Sequence, residues 1–266
     1  MRGKRELYLV GIAALAAFWR LGWWYGRRML DGSDEPWGVV ALLTVIGLLW
    51  REGVKGQPGR SQWIAASALT LLYGVCRSFL PQLVSAGIAV TVLQLSVIPY
   101  FASGSMAWLF WGLLLMSLPV MATAQFYLGY PLRLFTGALA SGALHTVGIP
   151  VERLGVTLQW AGEPVLIDAP CSGLRMLWVG GYLFLVCAYI HRLPLGRLLG
   201  LGTVAGMALI VGNAARTVAL FFVETTSLSL PHWIHPTVGL STFLMVGGAI
   251  AWLSSRLEVR RCVLGS

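Results

Sequence analysis

The sequence predicts an all-α membrane protein, on three observations. Only 11% of the 266 residues are charged while 57% are hydrophobic, with a mean hydropathy of +0.76; a soluble domain carries about a quarter charged residues. Apolar runs suited to crossing a bilayer recur eight times. The runs are continuous rather than alternating, which excludes barrel strands. The whole chain, 1–266, reads as a single polytopic membrane domain with both termini in the cytoplasm.

A spanning helix needs about 20 mostly apolar residues. The candidates, in order, are 7–25, 37–50, 62–79, 83–101, 106–124, 172–190, 198–222 and 236–255. The first follows Met1-Arg-Gly-Lys-Arg5 and resembles a signal peptide, but seven further runs favour an uncleaved helix. Between the fifth and sixth candidates lies the longest non-spanning segment, 125–170. Its first part, Pro131 to about Val147, is apolar and rich in Ala and Gly, which predicts an interfacial or re-entrant helix. Its second part holds two short strand-like runs, Val156–Trp160 and Pro164–Asp168, about a Gly-containing turn, which predicts a β-hairpin. Trp23, Trp24, Tyr25, Tyr100, Trp160 and Trp233 fall near span ends and read as interface anchors.

Lys and Arg set the orientation. With the N-terminus inside, eleven fall on cytoplasmic segments: Arg2, Lys4, Arg5, Arg51, Lys55, Arg60, Arg192, Arg197, Arg256, Arg260 and Arg261. Five fall outside: Arg27, Arg28, Arg77, Arg133 and Arg153. Most acids, among them Asp31, Asp34, Glu35, Glu163, Asp168 and Glu224, also fall outside. The net charge of +9 is therefore a topology signal. It does not imply a nucleic-acid partner, because no basic patch interleaves with aromatics on a soluble face.

Three polar residues in apolar surroundings converge on the outer side of this topology. Cys171 follows Pro170 in Asp168-Ala-Pro-Cys-Ser-Gly-Leu-Arg175, where proline suits a first helical turn. Arg216 lies in the outer half of the seventh candidate span, and His235 just precedes the eighth. A thiol, a fixed cation and an imidazole suffice for acyl transfer. A thiol of pKa about 8.5 needs its thiolate stabilised. A helix N-terminus supplies partial positive charge, and Arg216 a full one. Asp168 opposes this unless it caps the helix backbone. His235 can accept the thiol proton and return it to a leaving amine, and Arg216 can equally hold an oxyanion.

Competing assignments exist for each residue. Arg175, one turn after Cys171, can supply the cation instead. Arg216 can pair with Glu224 or snorkel to the surface, as Arg20 is expected to do. His232 and His145 compete with His235. Cys76 and Cys187 read as small apolar packers, and with Cys262 in the tail the four cysteines form no disulfide framework. Neither a closely spaced metal-ligand cluster nor a phosphate-cradling loop is present, so no metal and no cofactor is expected. Ser172 lacks the GxSxG setting of a serine nucleophile.

Three blocks, Ala169-Pro-Cys-Ser-Gly173, Asn213-Ala-Ala-Arg216 and His235-Pro-Thr-Val-Gly239, resemble the signatures of the exosortase/archaeosortase family. The resemblance extends to Leu144-His-Thr-Val-Gly-Ile-Pro-Val151 and the hairpin, and so covers roughly 125–245. Pro170 departs from it, since alanine is common there. The resemblance implies that Cys171, Arg216 and His235 are catalytic, supported by Ser172, Gly173, Arg175, Asn213 and Gly239. It further implies a membrane cysteine protease or transpeptidase in the cytoplasmic (inner) membrane, with its site facing outward. Its partners would be secreted proteins ending in a short motif, a hydrophobic helix and a basic tail, and a lipid or polysaccharide acceptor. Two other classes fit the composition: a transporter or channel using Arg216 as a substrate-binding charge, and a non-catalytic assembly scaffold.

Overall fold

The structure, a computed structural model, describes residues 2–31, 37–225, 231 and 233–257. Asp34, Glu35, His232, Arg260, Arg261 and Cys262, weighed above, lie outside the described residues. The chain divides into two compact units, Met1–Ala122 and Thr123–Ser266.

Among the described residues the first unit contains five α-helices and a short 3-10 helix, Ile98–Tyr100: α1 (Arg2–Leu30), α2 (Trp37–Glu52), α3 (Arg60–Cys76), α4 (Gln82–Ser96) and α5 (Gly104–Met116). Helix α4 packs against α1, α3 and α5, and α2 packs against α5. Phe18 of α1 and Tyr73 of α3 meet ring to ring at 4.9 Å over Ala66, Ala89 and Val92. Tyr100 is 1% exposed, and its carbonyl accepts the backbone N–H groups of Lys55 and Gly56 at 2.7 and 3.1 Å. It is a core residue that pins the α2–α3 loop, which corrects its assignment as an interface anchor.

The second unit begins with α6 (Met121–Thr146). The expected fifth span, 106–124, is broken: α5 stops at Met116, and α6 starts at Met121 after four intervening residues. Pro119 lies in the break, and a proline denies the preceding residue its helical conformation. The helix expected to begin at Pro131 instead runs through Pro131.

A three-stranded antiparallel sheet follows, β1 (Glu152–Leu154), β2 (Thr157–Trp160) and β3 (Glu163–Leu166). The expected hairpin is β2–β3, joined through Ala161 and Gly162, both at positive φ as a primed two-residue turn requires. The additional strand β1 is exposed throughout and has no apolar alternation to announce it. Leu158 and Val165 pair across the strands and face a core of Ala140 and Leu144 from α6 and Leu220 and Phe221. Trp160 packs edge-on against Phe221 at 5.9 Å. It is thus a packing residue of this core rather than an interface anchor.

The chain closes with α7 (Leu174–Ile190), α8 (Leu195–Thr225) and α9 (Ile234–Arg256), each touching the other two. A Cβ at Gly212 of α8 would come within 2.5 Å of Val246 and 2.9 Å of Met176, so glycine sets the approach of the three helices.

Each candidate span overlaps an α-helix, the fifth being split between α5 and α6. Among the described residues four helices are long and apolar enough to cross a membrane: Gly3–Leu30, Gln82–Tyr100, Leu195–Thr225 and Ile234–Arg256. A fifth is added if α5 and α6 form one bent span, and α7 is apolar but shorter. The protein is mostly helical and multi-pass; among the described residues four to five spans meet these criteria, and the expected eight are not confirmed.

Candidate functional site

Cys171 sits outside any α-helix. Ala169–Ser172 forms a 3-10 turn, Gly173 adopts φ +82°, and α7 begins only at Leu174. The expectation that Cys171 lies in the first turn of the α-helix is corrected accordingly. The left-handed residue separates the 3-10 turn from α7. Asp168 opens the turn without a side-chain cap bond; its carbonyl instead accepts the Cys171 N–H at 2.9 Å.

The turn is held from two sides. Asn213 of α8, 2% exposed, donates from Nδ2 to the Cys171 carbonyl at 3.0 Å and to Thr136 Oγ1 of α6 at 3.1 Å. Its Oδ1 is buried without a hydrogen-bond partner among the described residues. A Cβ at Gly173 would lie 2.6 Å from Asn213 Nδ2, so both the backbone angle and this contact demand glycine. Ser172 is buried, donates to Gln125 Oε1 of α6 at 3.3 Å and accepts the Leu174 N–H at 3.4 Å. Its hydroxyl thus ties α6 to the start of α7.

Arg216 stands three residues after Asn213 and therefore on the same helical face. Its charge acts on the Cys171 thiol. Burial is the largest influence and pushes that thiol up; Arg216 pulls it down; Asp168 and Glu224 push it up again. The net displacement is upward, and Cys171 is 7% exposed. Arg175, at the start of α7, is exposed.

Gly239 explains how α9 joins the site. A Cβ there would be 3.1 Å from Arg216 Nε and 3.6 Å from its Cζ, so the guanidinium lies directly against the α9 backbone. His235 is one turn earlier on α9, half-buried and followed by Pro236 in the first turn. Its charge reaches Glu224 near the end of α8. Cys171, Asn213, Arg216 and Gly239 thus form a connected group, and His235 adjoins it through α9 and Glu224. His145 is engaged elsewhere: its Nε2 meets the Val151 carbonyl at 2.9 Å, fastening the end of α6 to the entry of β1.

Residues on α6 escaped the sequence reading. Gln125 and Thr136 hold the Cys171 turn, and between them Arg133 lies over the Tyr130 ring at 5.8 Å. Its Nε is buried with no hydrogen-bond partner among the described residues. The signal was present as polar residues at 125, 133 and 136 in an apolar stretch, a spacing close to one helical face.

The family model for transmembrane exosortases matches residues 23–252, which contain all of these groups. The chain belongs to the exosortase family. No curated protein and no solved structure matches it. The match spans both compact units of this exosortase-family chain, and so extends well beyond the three motif blocks. Among the described residues no group of His, Cys, Asp and Glu is arranged to hold a metal ion.

Proposed function

We propose that this exosortase-family protein is a cysteine transpeptidase of the cytoplasmic membrane, acting at its outer face on the C-terminal tails of secreted proteins. The observation that carries the reading is the pairing of Asn213 and Arg216. One residue of this i,i+3 pair bonds the Cys171 carbonyl, and the other directs its charge at the Cys171 thiol. Because burial and the nearby carboxylates push the thiol up, a base is assigned to the moment of attack. His235 takes the proton as Sγ bonds to the scissile carbonyl carbon. The carbonyl oxygen becomes an oxyanion, which Arg216 stabilises. Collapse breaks the C–N bond, and His235 returns the proton to the departing amine. The resulting thioester is attacked by an acceptor nucleophile, lipid or polysaccharide, which releases Cys171.

Asn213, Gly173 and Ser172 position the sulfur rather than touch the reacting atoms. Co-expression with a secreted protein ending in a motif, a hydrophobic helix and basic residues tests the proposal, with processing read by mass spectrometry. Wild type should shorten the tail, and Cys171→Ala should leave it intact. Full processing by Cys171→Ala would refute the cysteine mechanism.

A further inference from the structure

The unit Met1–Ala122 contains a polar cavity of about 670 Å³, made from the second half of α1, the turn after α3 and the start of α4. Arg20, Arg27 and Arg77 line it together with Trp19, Trp23 and Trp24. Along α1, Arg20, Trp23, Trp24 and Arg27 follow the i, i+3, i+4, i+7 spacing of one helical face. The other polar lining residues, Tyr73, Ser78, Gln82 and Ser85, are uncharged. Among the described residues no Asp or Glu lines the cavity. Asp31, one turn after Arg27, pairs with Arg28 at 3.3 Å.

Three guanidinium charges around one cavity repel one another, and no lining side chain among the described residues answers them. The C-terminus of α3 and the N-terminus of α4, which has no side-chain cap, bring partial charges of opposite sign that offset each other. Arg20 stands ten residues before the end of α1, about 15 Å of helix. An arginine inside an apolar span is costly unless it is paired. Arg27 and Arg77 are two of the five Lys and Arg expected on the outer side, and both meet Arg20 here. The cavity therefore lacks a counter-ion at the level where lipid headgroups lie.

We propose that this cavity binds the phosphate of one membrane lipid with a net-anionic headgroup. The arginines take the phosphate oxygens, for which the guanidinium fork is suited. Trp19 and Trp23, 64% and 67% exposed, border the site at the glycerol level, as tryptophans do at bilayer interfaces. The acyl chains stay in the surrounding bilayer. With no lining acid to hold an ammonium group, a net-anionic headgroup is favoured over a zwitterionic one. A soluble phosphate ester shares the headgroup's chemistry but has no acyl chains to hold it at this depth. The site is independent of the acyl-transfer reading.

The test uses the full chain in neutral detergent, with bound lipid counted by native mass spectrometry. Phosphatidylglycerol should fill one saturable site, more tightly than phosphatidylcholine. Arg20→Gln, Arg27→Gln and Arg77→Gln should each weaken it about fivefold, matching about 1 kcal/mol per basic residue at a lipid surface. Arg60→Gln, at the other end of α3, should leave it unchanged. All four arginines are exposed, so the exchanges should not lower the unfolding temperature in lipid-free detergent. Glycerol phosphate, the same chemistry without chains, should compete far more weakly than the lipid.

Equal binding of the two lipids would overturn the proposal, as would arginine exchanges that leave phosphatidylglycerol binding unchanged. Competition by glycerol phosphate as tight as that of phosphatidylglycerol would reveal a site for a soluble phosphate ester and overturn the lipid assignment equally.

Discussion

The Cys171 sulfur sits among opposing charges, and the sign of each can be read by alkylation. Asp168 raises the thiol pKa, so Asp168→Asn should lower it and speed alkylation at a fixed pH below the thiol range. Arg216 lowers it, so Arg216→Ala should raise it further and slow alkylation. The pH–rate profile of alkylation measures both shifts; profiles unmoved by either change would remove these residues from the thiol's surroundings. Arg216→Lys keeps the charge and loses the planar fork. It should preserve most of the alkylation profile yet reduce processing about 100-fold, the scale of one lost oxyanion donor. Gly173→Ala meets a left-handed backbone cost of about 1–2 kcal/mol and the Asn213 amide as well. Thermal unfolding should register at least that loss.

At the scale of elements, α6 and α8 hold the reactive turn between them. Thr136→Val removes the acceptor for Asn213 Nδ2, a loss of about 1 kcal/mol in stability. Trp160→Ala empties the contact between the sheet and α8 and should cost about 3–5 kcal/mol. His145→Ala should loosen the α6–β1 junction and lower the unfolding temperature while processing persists, whereas His235→Ala should abolish processing.

The same elements show what was legible in the sequence. The Cys171, Asn213–Arg216 and His235–Gly239 segments stood out because polar groups in apolar runs are costly and few. The α5–α6 break was hidden because hydrophobicity continues across Pro119, although the proline itself was in view. The α6 contribution was hidden because Pro131 suggested a helix start and not a helix interior. Strand β1 was hidden because Glu152-Arg-Leu154 has no pattern of its own and forms only by pairing with β2. The 3-10 turn at Cys171 depends on Gly173 packing against Asn213, forty residues away in sequence, which local patterning does not register.

For the whole molecule, the uneven distribution of Lys and Arg sets the orientation expected of the site. Glu163→Cys on the exposed sheet should react with a membrane-impermeant thiol reagent in intact cells. Gly196→Cys, near the start of α8, should react only after permeabilisation. The reverse pattern would place the Cys171 turn in the cytoplasm and exclude secreted proteins as substrates. The acyl-transfer account itself is tested most directly by trapping its covalent intermediate. Purified wild-type protein, mixed with a tailed substrate and quenched in acid, should carry the substrate's N-terminal fragment as a thioester on Cys171. Intact mass and peptide mapping would locate it, hydroxylamine would release it, and Cys171→Ala would lack it. Substrate cleavage by Cys171→Ala, or a hydroxylamine-sensitive adduct mapped to any other residue, would contradict the account.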